Sequence, residues 1–217
     1  MKQEELQDIA SQLKHPTGEK GIEMANMMHE TNINMTKSAI ENLNITDNNK
    51  ILELGHGNAG HLEYLIKKTN ILNYYGLEMS ELMFHEAQKI NKNYIAKKQA
   101  HFSLYNGDEI PFEDNFFDKI FTVNTLYFWK NPEKMLLEIY RVLKSKGTFC
   151  VTFAQESFMK QLPFTKYEFE LYTTEKAEAL LEKTLFKIKY SETVKEKIKS
   201  KTGELVDRIF TSIILEK

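Results

Sequence analysis

The chain has 217 residues, 41% of them hydrophobic, which is enough for one well-buried core and short for two independent domains. Lys+Arg total 29 against Asp+Glu 31, a formal net charge of −2, so no overall basic field gathers phosphates and nucleic acid is not an expected partner. Cys150, the single cysteine, excludes an internal disulfide; the amino terminus MKQEELQDIA is charged where a secretory leader is apolar, and no apolar run approaches the roughly 20 residues of a membrane span. A soluble, cytoplasmic protein with no membrane partner is expected.

In chain order, the first fifty residues read as helical. Glu4 to Leu13 has helical period, HPTGEKG breaks it, and Ile22 to Leu43 resumes it with Met24, Met27, Met28, Ile33, Met35 and Ile40. From residue 50 onward short β-branched or aromatic runs alternate with longer helical stretches. KILEL (50–54), NYYGL (73–77), HFSLY (101–105), DKIFTV (118–123) and GTFCVTF (147–153) predict strands. Between them, residues 60–68, 80–92 and a stretch opened by Asn131-Pro132 predict helices, with Ser80 as a cap and Pro132 at a permitted early position. A helix over 174–183 leads to FKIKYSETV (186–194) and ELVDRIFTSIILEK (204–217), an antiparallel pair turned at Lys201-Thr202-Gly203. Strand and helix in alternation give an α/β, doubly wound, mostly parallel sheet with an antiparallel carboxyl-terminal hairpin and an amino-terminal helical cap. One domain over 1–217 is expected, with 1–45 as the cap and 46–217 as the core.

The stretch ILELGHGNAG carries the chemistry. Its spacing Gly55-x-Gly57-x-x-Gly60 suits a turn against a dinucleotide pyrophosphate, but Glu53 stands two residues before Gly55. A carboxylate there repels a pyrophosphate and attracts an ammonium, which favours a cationic ligand such as S-adenosylmethionine over a nicotinamide cofactor.

Glu53-Leu54-Gly55-His56-Gly57-Asn58-Ala59-Gly60 resembles the first motif of the class I S-adenosylmethionine-dependent methyltransferases, acidic-x-Gly-x-Gly-x-Gly, with Ala59 where the third glycine stands. Three further stretches match in order: Glu78 closing YYGLE, NGDEIPFEDNFFDKIF (106–121), and EIYRVLKSKGTFCVTF (138–153), in which Ser145 and Lys146 replace the usual proline and glycine of a turn into the fifth strand. The resemblance implies a Rossmann-like sheet of seven strands, S-adenosyl-L-methionine as cofactor, Glu78 on the ribose hydroxyls, Asp108 and the Glu109 amide on the adenine, and cofactor contacts at Glu53, Gly55, Gly57, Met79 and Asn124. Lone histidines at 56 and 61 make no metal pair, so no metal site is expected.

An activated methyl asks for alignment and exclusion of water more than for a catalytic triad. Tyr127, His15 and His29 are the candidates for proton handling or acceptor contact. The tetrad Asn124-Thr125-Leu126-Tyr127 lacks the two prolines of enzymes that methylate adenine or glutamine nitrogen. Lysines at 183, 187, 189, 195, 197, 199 and 201 read as a solvated edge. A small-molecule acceptor is therefore expected; an RNA or protein methyltransferase and a non-catalytic binding module stay open, as does the oligomeric state. The stretch Leu13-Lys14-His15-Pro16-Thr17-Gly18-Glu19-Lys20-Gly21 resembles the opening of some bacterial class I methyltransferases. With the methionine-rich helix after it, this stretch reads as a bend that folds a lid over the site, since no long insertion is read after the fifth strand; a plain core helix stays open as the alternative.

Overall fold

The computed structural model describes residues 2–199 and 205–217. Its helices are α1 (Gln3–Lys14), α2 (Gly18–Asn42), α3 (Leu62–Ile66), α4 (Glu81–Ile90), α5 (Lys92–Ala96), α6 (Pro132–Val142), α7 (Glu156–Met159) and α8 (Thr174–Leu181). The strands are β1 (Lys50–Leu54), β2 (Asn73–Glu78), β3 (Ala100–Leu104), β4 (Phe117–Val123), β5 (Leu143–Ala154), β6 (Lys187–Lys199) and β7 (Leu205–Glu216). They form one sheet in the order β3-β2-β1-β4-β5-β7-β6, parallel from β3 to β5, with β7 antiparallel to β5 and β6 antiparallel to β7. The order reverses between β1 and β4, which opens a crevice at the carboxyl ends of those two strands.

Successive strand residues enter opposite cores, which is why the strands read as continuous apolar runs. Ile51, Phe121, Cys150 and Ile214 pack with Ala39 and Ile40 of α2, Leu43 just after it, and Leu62 and Leu65 of α3. Their neighbours Leu52, Ile120, Phe149 and Leu215 pack on the other face with Leu136 and Ile139 of α6 and Leu181 of α8. Ser80 caps α4 by accepting from the Met83 amide, and Asn131 caps α6 by accepting from the Lys134 amide. Arg141 clamps the turn before β4: it donates to the Ile110 and Phe112 carbonyls and pairs with Glu138 and Asp114.

Three expectations need correcting. Residues 144–147 do not form a turn ahead of β5; they lie inside it as a bulge, with Lys146 at φ 63 and the register against β4 shifting between Phe117 and Lys119. The Lys146 amide donates to the Lys217 carbonyl and the Lys217 amide to Gly147, so β7 stitches the bulge. The break between the first two helices is shorter than HPTGEKG, since α2 begins at Gly18. The segment after β5 is also not bare: residues 155–173 hold α7 and a 3₁₀ turn, Pro163–Lys166, that packs against α1. The expected turn at 201–203 lies outside the described residues. β6 is an edge strand, where Lys189 and Lys195 pair with Glu216 and Asp207 of β7. Among the described residues no helix is long and apolar enough to cross a membrane.

Candidate active site

The strand β1 delivers Glu53 to the crevice and ends in the glycine loop. Gly55, at φ 73, donates its amide to the Leu77 carbonyl of β2, and a Cβ there would lie 2.5 Å from Thr125 Cγ2. Gly57, at φ 57, faces open space: a Cβ built on it meets nothing within 4 Å. Both positions favour glycine for backbone shape, and Gly57 also for what its missing side chain leaves free. Ala59 occupies the third glycine position at φ 48, held by the Asn91 amide group that donates to its carbonyl. Gly60 serves packing: a Cβ there would come within 3.0 to 3.2 Å of the His29 ring on α2.

Glu53 is buried and takes two hydrogen bonds on Oε2, from His61 Nε2 at 2.8 Å and from Tyr74 OH at 2.6 Å. Burial alone would raise its pKa; the His61 ring and these two bonds outweigh that and hold it below the ordinary value. His56 is buried and donates Nδ1–H to the Gly57 carbonyl, which leaves Nε2 a buried acceptor without a partner among the described residues. Burial lowers the pKa of His56, and burial with the neighbouring His61 lowers that of His29, so both rings favour the neutral form.

Glu78 closes β2 with its carboxylate turned into the loop: Oε2 accepts from Gly57 N at 2.9 Å, Oε1 from Met79 N at 2.8 Å and Ser80 N at 3.1 Å. A carboxylate offers about four acceptor positions, so three are filled, and two ribose hydroxyls could be taken only by releasing at least one amide.

Glu53, Gly55, Gly57, Glu78, Asn124 and His29 line one cavity of about 140 Å³. Pro16, Ala25 and Met28 lie on its other side, and Ser80 Oγ donates to the Pro16 carbonyl at 2.6 Å. Its volume is below the roughly 300–1,000 Å³ of a ligand pocket, so a nucleoside-sized ligand extends beyond it or displaces part of its wall.

The structure leaves other candidates outside that cavity. Met79 is 41% exposed and its sulfur lies against Gly107. Asp108 and Glu109 sit on the exposed turn after β3, both amides held by Asn106 Oδ1 at 2.9 and 3.0 Å, so the Glu109 amide is already engaged. His15 is exposed at the end of α1 and lines no described cavity. Tyr127 is buried, donates to the Ala154 carbonyl at 2.9 Å with Asn124 Oδ1 at 3.1 Å, and burial pushes its phenol far above the ordinary range, which unsuits it as a base.

A second cavity, about 420 Å³ and mostly apolar, adjoins the first. Leu13, Met28, Asn32, Asn124 and Phe128 line both. Its far wall comes from α7 and the 3₁₀ turn, and its rim carries Arg208, which donates to Glu196, to the Thr31 carbonyl and to Asn32 Oδ1. The hydrogen bonds of His61 and Tyr74 to Glu53 were not read from the sequence, although His61 on the first turn after the loop was a visible signal.

The family described as a methyltransferase domain matches residues 52–151, from the middle of β1 to the middle of β5. Residues 52–151 are thus a methyltransferase domain, similar to those of the class I S-adenosylmethionine-dependent methyltransferases. The uncharacterized methyltransferase YdaC of Bacillus subtilis is 26% identical to this methyltransferase over 126 residues, 58% of this chain and 67% of YdaC. The sterol 24-C-methyltransferase of Saccharomyces cerevisiae is 30% identical over 101 residues, 46% of this chain and 26% of that enzyme. A crystal structure of a methyltransferase from Aquifex aeolicus superposes with a TM-score of 0.67 at 18% identity, covering 89% of this chain and 97% of that one, and shows the same fold.

S-adenosylmethionine is the cofactor of this family, and the residues present fit it. The open space over Gly57 accommodates a ligand backbone, and two carboxylates, Glu53 and Glu78, stand on the same wall for its cationic and hydroxyl groups.

Proposed function

We propose that this methyltransferase passes the methyl group of S-adenosylmethionine to a small-molecule acceptor, within a single domain whose residues 1–45 cap a core of 46–217. The observation that carries the reading is the pair of adjoining cavities: one carboxylate-lined and built on the glycine loop, the other mostly apolar, with five wall residues in common. When bound, the cofactor supplies a methyl already activated on a sulfonium sulfur that leaves as a neutral thioether. The protein's part is then to hold, align and keep dry.

Gly57 leaves room for the amino-acid part of the cofactor, Gly55 gives the loop its turn, Glu53 offers a negative wall, and Glu78 takes the ribose hydroxyls once the Gly57 amide is released. Asp108, Glu109 and Met79 flank the adenine end on the next turn. His29, neutral and on the cavity wall, is placed to accept a proton, and Tyr127 positions Asn124. Calorimetric titration with S-adenosylhomocysteine tests this reading. Glu78→Ala should weaken binding at least about tenfold, because charge-assisted hydrogen bonds are lost. Equal affinity in the variant overturns the ribose assignment, and no binding by the natural chain overturns the function.

A further inference from the structure

Resting on that reading, we propose that the apolar cavity is the acceptor site and that the acceptor is a lipophilic small molecule. Its walls set the chemistry. Met27 of α2, Phe158 and Met159 of α7, Leu162, Phe169 and Val206 face it, and the ring of Phe169 meets that of Phe128 edge-on at 4.6 Å between centroids. Unbranched methionines and aromatic faces adapt to apolar ligands and offer hydroxyl or anionic groups no hydrogen bond.

The buried polar groups on these walls are already engaged, and Lys199 stands exposed at the rim. Asn124 Oδ1 accepts from the Ala154 amide at 3.1 Å, with Tyr127 OH at the same distance. Asn32 Oδ1 accepts from Arg208, and Arg208 is paired with Glu196 through Nε at 3.0 Å and Nη2 at 2.6 Å. A charged or multiply hydroxylated acceptor would give up its hydration without return. An apolar body gains by burial, and only its nucleophilic end needs to reach the shared ring of Leu13, Met28, Asn32, Asn124 and Phe128.

Two contacts stand beside the cavity. Lys14 of α1 pairs with Glu168 at 2.7 Å, and Phe164 and Phe169 stand 5.9 Å apart between centroids. Leu13 of α1 walls both cavities, so a shift of α1 against the 163–169 stretch changes both at once.

The test uses the neutral fluorophore N-phenyl-1-naphthylamine as probe and S-adenosylhomocysteine as cofactor product, on the full chain. The natural chain should take up the probe with enhanced fluorescence, and should still do so when saturated with S-adenosylhomocysteine, because the two sites adjoin without coinciding. Met27→Glu and Phe169→Glu, each on a half-buried position lining only the apolar cavity, should weaken the probe at least about tenfold by placing a charge against it. Both should keep S-adenosylhomocysteine affinity within about threefold. Absence of probe uptake, undiminished uptake by both variants, or displacement of the probe by S-adenosylhomocysteine would each overturn the proposal while leaving methyl transfer standing. Failure of S-adenosylhomocysteine to bind the natural chain would instead remove the methyltransferase reading beneath it. Circular dichroism and the cofactor titration report on folding, and the two variants come from separate segments so that one misfolded protein does not decide the result.

Discussion

The two cavities beneath the amino-terminal helices are built in opposite ways. The cofactor side is narrow and polar, with Glu53, Glu78, His56 and His61 each tied to backbone or to one another. The proposed acceptor side is wide and apolar, walled by side chains with several rotatable bonds and fastened at its rim by one buried ion pair, Arg208 to Glu196. The difference teaches how the tasks divide: a fixed ligand is met by hydrogen bonds that leave little to adapt, an apolar one by surfaces that can repack.

The largest expected effect breaks the acceptor side. Arg208 is 3% exposed and holds α2 to β6 and β7, so Arg208→Leu strands Glu196 without its partner and should cost about 3–5 kcal/mol of stability. Urea unfolding measures it, and a loss below about 1 kcal/mol, the size of an exposed pair, would mean that the pair is solvated. Next comes the cofactor side: Gly57→Val fills the open space over the loop and should lower S-adenosylhomocysteine affinity at least about a hundredfold while the chain stays folded. Tight binding by that variant would reduce the loop to a turn.

The smallest effect separates the two sides by pH. His56 and His29 have pKa values lowered in the fold, so below about 6.5 the unfolded chain binds more protons than the folded one. Stability from them is full above that value and is lost as pH falls through it toward their folded pKa. Glu53, also lowered, adds a further loss below about 4.5 as pH falls toward its own folded value. The urea midpoint should hold steady above pH 7 and drop between pH 6.5 and 5, with a shallower drop in His56→Phe. An equal slope in that variant would place the titration elsewhere.

The same contrast decides what was legible in the sequence. Glu53, Gly55, Gly57 and Glu78 sit on strand ends and one loop, where chain order and spacing report position, and the structure brings all four to one wall. The strands from KILEL to GTFCVTF were readable because burial on both faces makes them continuously apolar. The acceptor cavity was not, since it joins α1, α2, the end of β4, residues 158–169 and the terminal hairpin, pieces with no common periodicity. α7 has four residues and its neighbouring turn contains proline, too short for a 3.6-residue period to show. The amino-terminal helices also divide in a way their uniform pattern hides: Met35, Ala39 and Ile40 of α2 belong to the core, whereas Leu13, Met27 and Met28 wall the cavities.

A crystal structure with S-adenosylhomocysteine bound tests the central claim most directly, that the two cavities serve one transfer across a shared ring. The sulfur should lie at Leu13, Met28, Asn32, Asn124 and Phe128, with Glu78 turned from the Gly57 amide to the ribose. A sulfur directed away from that ring, or a ligand seated in the groove between Leu104 and Arg141, would contradict it.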